Sequence, residues 1–180
     1  MLLLLVYYQI LNTFTFAKID ATGFSSLRYG PWIEMKDHYA RHKEWRKLHI
    51  IIDTLTHMIL AATVTRGNVP DIKRYKLLLK KVNRDFQVKM ICGDKGYSSR
   101  EVHEYTQSLN ITPIIDFKKN ATGKAKGSPA WNKSFKFYKE EPKEFEDLYA
   151  KRPNVESTFS GIKRKFLSHT RAKKIKAQEN

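Results

Sequence analysis

The chain has 180 residues, of which 41% are hydrophobic and 12% aromatic, a composition typical of one folded domain and not of a disordered chain. Lysine and arginine total 34 against 18 aspartate and glutamate residues, a formal net charge of +16, which indicates a polyanionic partner with nucleic acid as the leading candidate. No apolar stretch approaches the roughly 20 residues that span a bilayer. The single cysteine, Cys92, excludes an intramolecular disulfide and favours a reducing, intracellular compartment.

The N-terminal residues 1–16 are apolar at first but lack a positively charged segment and soon include Gln9 and Asn12. They do not have the pattern of a signal peptide. We interpret them as an apolar N-terminal remnant or a core element, and residues 17–180 as one domain with a basic C-terminal tail. The abrupt ends suggest a core without its usual flanking regions.

Three strands are predicted in the first third of the domain. The segment FTFAKID is typical of a strand that ends at Asp20, and the following ATGFSS is typical of a turn. Residues 47–65 contain two β-branched apolar runs around Asp53 and His57, which predicts an antiparallel hairpin. Asp53 would then be a turn residue at the opposite end of the sheet from Asp20.

Helices and strands alternate in the middle of the chain. Apolar residues recur at helical spacing in IKRYKLLLKKV, which predicts a helix from Ile72. QVKMICGD predicts a short buried strand that ends at Asp94, and SSREVHEYTQSL predicts a helix capped by Ser98 or Ser99. NITPIIDF predicts one more strand, which ends at Asp116.

A basic insertion follows at about residues 118–143, where aromatic residues are interleaved with lysines. A DNA-contacting surface and a solvated loop are both compatible with this pattern. The final helical stretch is predicted to begin near Phe145.

This order of elements predicts an α/β fold, a mixed sheet of three antiparallel strands followed by βα units, with helices on its faces. In the ribonuclease H-like arrangement of this order, the first strand is central and the fourth and fifth run parallel to it. Asp20 and Asp94 then meet at one edge of the sheet, where α/β sheets place ligand sites. The final helix can bring Glu156 to the same point. Asp116 lies one strand further out and is a reserve candidate.

The stretch YAKRPNVESTFSGIK contains Tyr149, Arg152, Glu156 and Lys163. In a helix of about 100° per residue, these four side chains fall within an arc of about 60°. A carboxylate flanked by cations suits a site that handles a phosphate backbone and a divalent metal, although a solvated charged face has the same pattern. Pro153 lies inside the stretch, and we expect a kink or a new helical start there, which would move Tyr149 off this face.

Three motifs in order resemble the catalytic domain of DDE transposases of prokaryotic insertion sequences, in the subgroup with a Tyr-Arg-Glu-Lys signature helix. They are IDATGFSS around Asp20, ICGDKGYSS around Asp94, and the signature spacing from Tyr149 to Lys163. KEWRKLHIIID also resembles the second strand of this family. The resemblance covers about residues 17–166.

The resemblance implies metal-dependent cleavage and joining of transposon DNA ends by a ribonuclease H-like domain. Asp20, Asp94 and Glu156 would be the catalytic residues and would bind two Mg²⁺ or Mn²⁺ ions. DNA contacts are expected from Tyr149, Arg152, Lys163, Arg164 and Lys165.

The resemblance also implies a partner and a location. The expected partner is double-stranded DNA, on which a homodimer assembles, and the expected location is the cytoplasm, in association with the nucleoid. Because the usual flanking regions are not recognisable, we expect a truncated, non-autonomous enzyme. An inactive DNA-binding remnant of a transposase and a ribonuclease H-like nuclease that cuts without joining remain the alternatives.

Overall fold

The computed structural model describes residues 15–26, 45–124, 126–150, 155–166 and 169–170. The strands are β1 Thr15–Ser26, β2 Trp45–Asp53, β3 Ile59–Arg66, β4 Val88–Gly93, β5 Thr112–Ile115 and β6 His169–Thr170. The helices are α1 Ile72–Asp85, α2 Arg100–Ser108, α3 Pro129–Glu140, α4 Pro142–Ala150 and α5 Val155–Phe166, with a 3₁₀ turn at Lys95–Tyr97. In the described ranges, no helix is long and apolar enough to cross a membrane.

The described strands form one sheet in the order β3-β2-β1-β4-β5, and β6 pairs with the end of β1. β1, β2 and β3 are antiparallel, whereas β4 and β5 run parallel to β1. The predicted mixed sheet with a central first strand is therefore confirmed, and the topology is ribonuclease H-like. The short strand β6 was not predicted.

The predicted end of the first strand at Asp20 is wrong. The segment ATGFSS continues to pair with β2, from Ala21 opposite His49 to Ser25 opposite Trp45. Gly23 allows this pairing because the Trp45 ring lies close to it, and a Cβ atom there would be 3.3 Å from Trp45 Cε3. Asp20 therefore lies within the strand, where it gains a neighbour on β2.

One face of the sheet packs against α1 and α2. Alternate strand residues point to this face, as the period of two in a strand requires. The core residues from the strands are Ala17, Ile19, Ile51 and Ile91, and those from the helices include Tyr75, Leu78, Leu79, Val82 and Val102. The predicted helix from Ile72 is confirmed, and this face holds the largest hydrophobic cluster.

The opposite face is covered by α4 and α5 in two smaller clusters. Ile50 and Ile52 of β2 pack with Val155 and Phe159 of α5. Cys92 of β4 and Ile114 of β5 pack with Phe145 of α4. Helix α5 therefore packs near the centre of the sheet, and α4 packs over the half formed by the parallel strands β4 and β5.

Local hydrogen bonds explain two of the predicted turns. Asp53 Oδ2 accepts from the backbone N of Thr56 at 2.8 Å and from its hydroxyl at 2.6 Å, so it closes the β2–β3 turn as predicted. Ser99, and not Ser98, caps α2, since its hydroxyl accepts from Val102 N at 3.2 Å. Such a cap satisfies one of the free amide groups of the first helical turn.

The basic insertion is largely helical, so the interpretation as a solvated loop is wrong for residues 129–140. Ser128 caps α3 by accepting from Trp131 N at 3.2 Å, and Pro129 occupies the first turn. Trp131 Nε1 donates to the carbonyl of Thr122 at 2.8 Å, and its ring packs edge-on against Phe117 at 4.9 Å. The aromatic residues anchor the insertion to the domain while the lysines face outward.

Candidate active site at the edge of the sheet

Asp20 and Asp94 lie side by side. The parallel register pairs Lys18 of β1 with Cys92 of β4, and each aspartate lies two residues further along. Residues two apart share one face of a strand, so both carboxylates lie on the face that α4 and α5 cover. Asp94 is held at the start of the 3₁₀ turn because its Oδ1 accepts from Gly96 N at 2.8 Å.

The environment of Asp20 disfavours its ionised form. Burial raises the pKa of this carboxyl above its ordinary value, and the negative charges of Asp94 and Asp71 raise it further. Two contacts act in the opposite direction: Ala21 N donates to Asp20 Oδ1 at 2.7 Å, and Lys18 Nζ lies 3.7 Å from Asp20 Oδ2. Burial prevails, so the pKa is raised overall. A cation bound beside Asp20 would stabilise its ionised form and so oppose this rise in pKa.

Glu156 lies on the same side of the sheet, in the first turn of α5, where its side chain is exposed. The preceding residue, Val155, is buried in the cluster that contains Ile50, which is the register partner of Asp20. The start of α5 is therefore attached close to Asp20. Within the described ranges, however, no three His, Cys, Asp or Glu side chains lie close enough together to hold one metal ion.

The basic end of α5 lies beyond Asp20 along β1. Lys163 Nζ is 5.5 Å from the ring centroid of Phe24, and Phe24 shares a strand face with Asp20 because the two are four residues apart. Arg164 and Lys165 follow in the exposed last turn. Three cations thus extend the site away from the carboxylates.

Tyr149 lies on a different helix from Lys163. Its ring stacks on Phe145 of α4, with the centroids 5.9 Å apart and the planes at 14°, in the cluster around Cys92. The single face from Tyr149 to Lys163 is therefore not formed by one described helix. Arg152 and the expected kink at Pro153 lie outside the described residues.

Several neighbours of the site were not predicted from the sequence. Asp71, which precedes α1, lies 3.0 Å from Lys47 Nζ and 3.7 Å from His49 Nδ1. Burial is the main cause that lowers the pKa of His49. The Tyr97 hydroxyl is buried and has no hydrogen-bond partner among the described residues, and burial raises its pKa.

Lys18 could have been predicted as a neighbour of Asp20, because residues two apart in a strand share a face. No local pattern in the sequence connects Asp71 to this edge.

The reserve candidate Asp116 also lies at this edge of the sheet. Its backbone N donates to the carbonyl of Gly93 at 3.4 Å, which places it one strand beyond Asp94, as predicted.

A family comparison identifies the domain. Residues 15–180 match the family described as "Transposase DDE domain". The chain belongs to this transposase family. The DDE transposase family named from the sequence motifs is therefore confirmed, whereas the insertion-sequence subgroup with the signature helix stays a prediction.

The transposase DDE domain is similar to chains in several solved structures. It has a TM-score of 0.42 and 15% identity with a chain of the simian T-cell lymphotropic virus intasome in complex with PP2A regulatory subunit B56 gamma, covering 80% of this chain and 50% of that chain. With the catalytic core domain of BIV integrase, it has a TM-score of 0.38 and 10% identity, covering 77% of this chain and 78% of that chain. With a chain of the Mos1 transposase paired-end complex with left transposon end, it has a TM-score of 0.39 and 12% identity, covering 85% of this chain and 60% of that chain. The chain thus spans half the length of the first of these chains.

The chemistry of the carboxylate pair in this transposase domain fits a hard divalent cation. Mg²⁺ and Mn²⁺ prefer oxygen ligands, and such ligands are offered by Asp20 in β1 and by Asp94 directly after the adjacent strand β4. The raised pKa of Asp20 reflects burial beside other carboxylates, which a cation would offset. Two of the three predicted ligands are brought together, and the third, Glu156, lies on the helix attached next to them.

Proposed function

We propose that this chain is the catalytic domain of a prokaryotic insertion-sequence transposase of the subgroup with the Tyr-Arg-Glu-Lys signature. It would cut DNA strands at the ends of its element and join them to target DNA in a metal-dependent reaction. The observation that carries this proposal is the position of Asp20 and Asp94, each two residues beyond the register pair Lys18 and Cys92, in a member of the transposase DDE domain family. The net charge of +16 supports DNA as the substrate.

In this proposal Asp20, Asp94 and Glu156 are the catalytic residues and hold Mg²⁺ or Mn²⁺. Two ions bound there would activate water or a 3′-hydroxyl and stabilise the leaving oxygen. The chain prepares the ligands: the amide of Gly96 orients Asp94, and the amide of Ala21 orients Asp20. Ligands held in place before substrate arrives do not have to reorganise during the reaction.

The DNA contacts in this proposal come from both helices on this face. Lys163, Arg164 and Lys165 would bind phosphates that flank the cleaved bond, on the α5 side of the carboxylates. Tyr149, half-buried on α4, would position a phosphate or an unstacked base, and Arg152 would bind a phosphate. Assembly as a homodimer on paired element ends and association with the nucleoid belong to the same proposal.

The test is cleavage and joining of labelled DNA that carries the terminal repeats of the element, in Mg²⁺ and in Mn²⁺. Wild type is compared with Asp94→Asn and with Asp147→Asn, a matched substitution at an exposed position of α4. We expect metal-dependent products, joined to target, from wild type and Asp147→Asn but not from Asp94→Asn.

Other results would contradict the proposal in distinct ways. Hydrolysis without joined product would indicate a ribonuclease H-like nuclease. DNA binding without any product from wild type would indicate an inactive remnant. Products that persist in Asp94→Asn would remove this residue from the catalytic set.

A further inference from the structure

The helix α1 is the most basic of the described helices. Its 14 residues, IKRYKLLLKKVNRD, include six lysine or arginine residues and one acid. By contrast α4, on the other side of the sheet, has one lysine and three acids in PKEFEDLYA. The positive charge of the domain is therefore unevenly distributed, and part of it is concentrated on the face opposite α4 and α5.

The cations of α1 form a row that points away from the core. At about 100° and 1.5 Å per residue, Lys73, Lys80 and Arg84 lie within an arc of about 40° and span roughly 16 Å along the helix axis. All three are exposed, as are Lys76 and Lys81 beside them. We call these five residues the α1 basic face.

Few acids neutralise this face. Lys76 pairs with Glu101 at 2.8 Å and Arg84 with Asp85 at 2.8 Å. Lys73 and Lys80 have no acidic partner within the described ranges. With Lys81, three of the five cations therefore have no acidic partner in those ranges. Like charges on one side of a helix repel one another, so binding of a polyanion would relieve this repulsion.

The α1 basic face begins beside an open polar cavity. The cavity has a volume of about 480 Å³ and is lined by Asn68, Val69, Pro70, Lys73 and Arg74. The Nε atom of Arg74 is buried and has no hydrogen-bond partner among the described residues. Cationic donors therefore border a space large enough for a phosphate group.

The cavity lies at the same edge of the sheet as the carboxylates. β1 and β3 both run antiparallel to β2, so their carboxyl ends share one edge, and the cavity follows β3 directly. From there α1 runs back along the face opposite α5. A duplex lying on the α1 basic face would therefore reach the edge that carries Asp20 from the side opposite α5.

We propose that the α1 basic face and its cavity bind the phosphate backbone of a second DNA duplex, separate from the duplex bound along α5. The inference rests on the proposed function, because joining brings two DNA segments to one set of carboxylates. One strand of duplex DNA carries a phosphate about every 3.4 Å along its axis, so a row of roughly 16 Å faces about five of them. Lysine contacts to phosphates carry no sequence information, so the surface accepts duplexes of any sequence.

The test uses the full chain bound to an immobilised terminal-repeat duplex, which is then offered a labelled duplex of unrelated sequence. The variant is Lys73→Gln/Lys80→Gln, which retains helix propensity because Lys and Gln are similar in this respect. The control, Lys133→Gln/Lys136→Gln, removes the same charge from exposed positions of α3. Capture of the second duplex is measured against salt concentration in the absence of divalent cations, so that it does not depend on catalysis.

We expect the α1 variant to lose capture of the second duplex while its binding to the immobilised duplex matches wild type. The slope of log affinity against log salt for the second duplex should fall by about 2, since each phosphate contact contributes roughly 0.9. The α3 control should capture the second duplex as wild type does. Equal melting temperatures of variant and wild type would show that the fold is intact.

The inference would be overturned if wild type captured no second duplex, if the α1 variant retained capture, or if the α3 control lost capture equally. A parallel loss of binding to the immobilised duplex would also overturn it, since one duplex would then cover both faces. Failure of the proposed reaction is distinguishable. Absence of cleavage in Mg²⁺, together with capture that depends on Lys73 and Lys80, would remove the transposase chemistry and leave the second DNA surface established.

Discussion

Asp20 and Asp94 are aligned on neighbouring strands by the pairing of Lys18 with Cys92, two residues before each of them. β1 continues past Asp20 because β2 still pairs with it, and Asp20 lies opposite Ile50. β4 ends just before Asp94. Asp20 therefore has a paired strand residue on the β2 side, whereas on the other side β4 has ended and Asp94 follows. This asymmetry explains how Asp20 is largely buried, with 31% of its side chain exposed, and still faces a second carboxylate.

Asp20→Asn should make the protein more stable at neutral pH. The pKa of Asp20 is higher in the folded than in the unfolded protein, chiefly because of burial. Protonated Asp20 therefore does not destabilise the fold below the unfolded pKa, and the free energy of unfolding falls as the pH rises through the folded pKa. Above that range the ionised carboxylate destabilises the fold, and the neutral asparagine does not. The expected result is a higher melting temperature than wild type at neutral pH.

This difference should disappear when the pH falls below the ordinary aspartate pKa of 3.8. Melting curves at neutral and acidic pH measure it. Asp147→Asn, at an exposed position, should match wild type at both. A variant that is less stable than wild type at neutral pH would show that Asp20 is stabilised by its contacts more than it is destabilised by burial.

Mg²⁺ or Mn²⁺ should raise the melting temperature of wild type. A cation that binds only the folded state at ten times its dissociation constant adds about 1.4 kcal/mol to the free energy of unfolding. The double variant Asp20→Asn/Asp94→Asn should lack this increment, because both carboxylate ligands are replaced by neutral amides. An equal increment in wild type and variant would place the cation elsewhere.

Glu156→Gln should abolish cleavage and joining while DNA binding remains intact. Loss of a group that merely supports a metal ligand reduces activity about 10- to 100-fold, so loss of a ligand should exceed roughly a hundredfold. Glu156 is exposed, and its replacement should leave the melting temperature unchanged. Single-turnover assays and DNA titration measure the two effects.

Asp116→Asn is the companion variant, because Asp116 lies at the same edge, one strand beyond Asp94. It should retain activity. The reverse pattern, with activity kept in Glu156→Gln and lost in Asp116→Asn, would make Asp116 the third catalytic carboxylate.

Lys163→Gln should weaken binding to terminal-repeat DNA and reduce its salt dependence. Lys163 lies beside Phe24, on the face of β1 that carries Asp20. Loss of one phosphate contact should lower the slope of log affinity against log salt by about 0.9. Lys143→Gln, at an exposed position of the acidic helix α4, should leave the slope unchanged. An equal effect of both variants would indicate attraction by net charge alone.

Gly67→Ala and Gly161→Ala should change stability in opposite directions. A Cβ atom at Gly67 would lie 2.7 Å from Trp45 Cβ and 2.9 Å from the Trp45 carbonyl oxygen, so the β2–β3 pair must shift, at a cost of about 1–3 kcal/mol. A Cβ atom at Gly161, in α5, meets nothing within 4 Å among the described residues. Alanine there should stabilise the helix by about 0.5–1 kcal/mol. Urea denaturation measures both changes, and a neutral Gly67→Ala would show that Trp45 moves freely.

Much of the architecture followed from local patterns. The apolar spacing from Ile72 predicted α1, the paired β-branched runs around Asp53 predicted the β2–β3 hairpin, and both are confirmed. The side of the sheet that carries Asp20 and Asp94 followed from the order of strands and helices. Such features are readable because burial on one face imposes a period on the sequence.

Local composition failed where distant partners decide the structure. Gly23 and its neighbours resemble a turn, but pairing with β2 satisfies their backbone groups and extends β1 to Ser26. The basic composition of the insertion left a solvated loop open for residues 129–140, but packing of Trp131 on Phe117 favours helix α3 there. In both places a tertiary contact overrides the composition of the segment.

The sequence by itself determined which carboxylates and cations are available, the family of the domain, and the edge of the sheet where Asp20 and Asp94 meet. Only the tertiary structure decided that Tyr149 belongs to α4 whereas Lys163 belongs to α5, and that the charge of Asp71 raises the pKa of Asp20. It also decided that the lysines of α1 form a row leading to the same edge. The physical reason is that burial patterns repeat along the chain and are visible in it. Electrostatic neighbours, by contrast, are set by contacts between segments that are far apart in sequence.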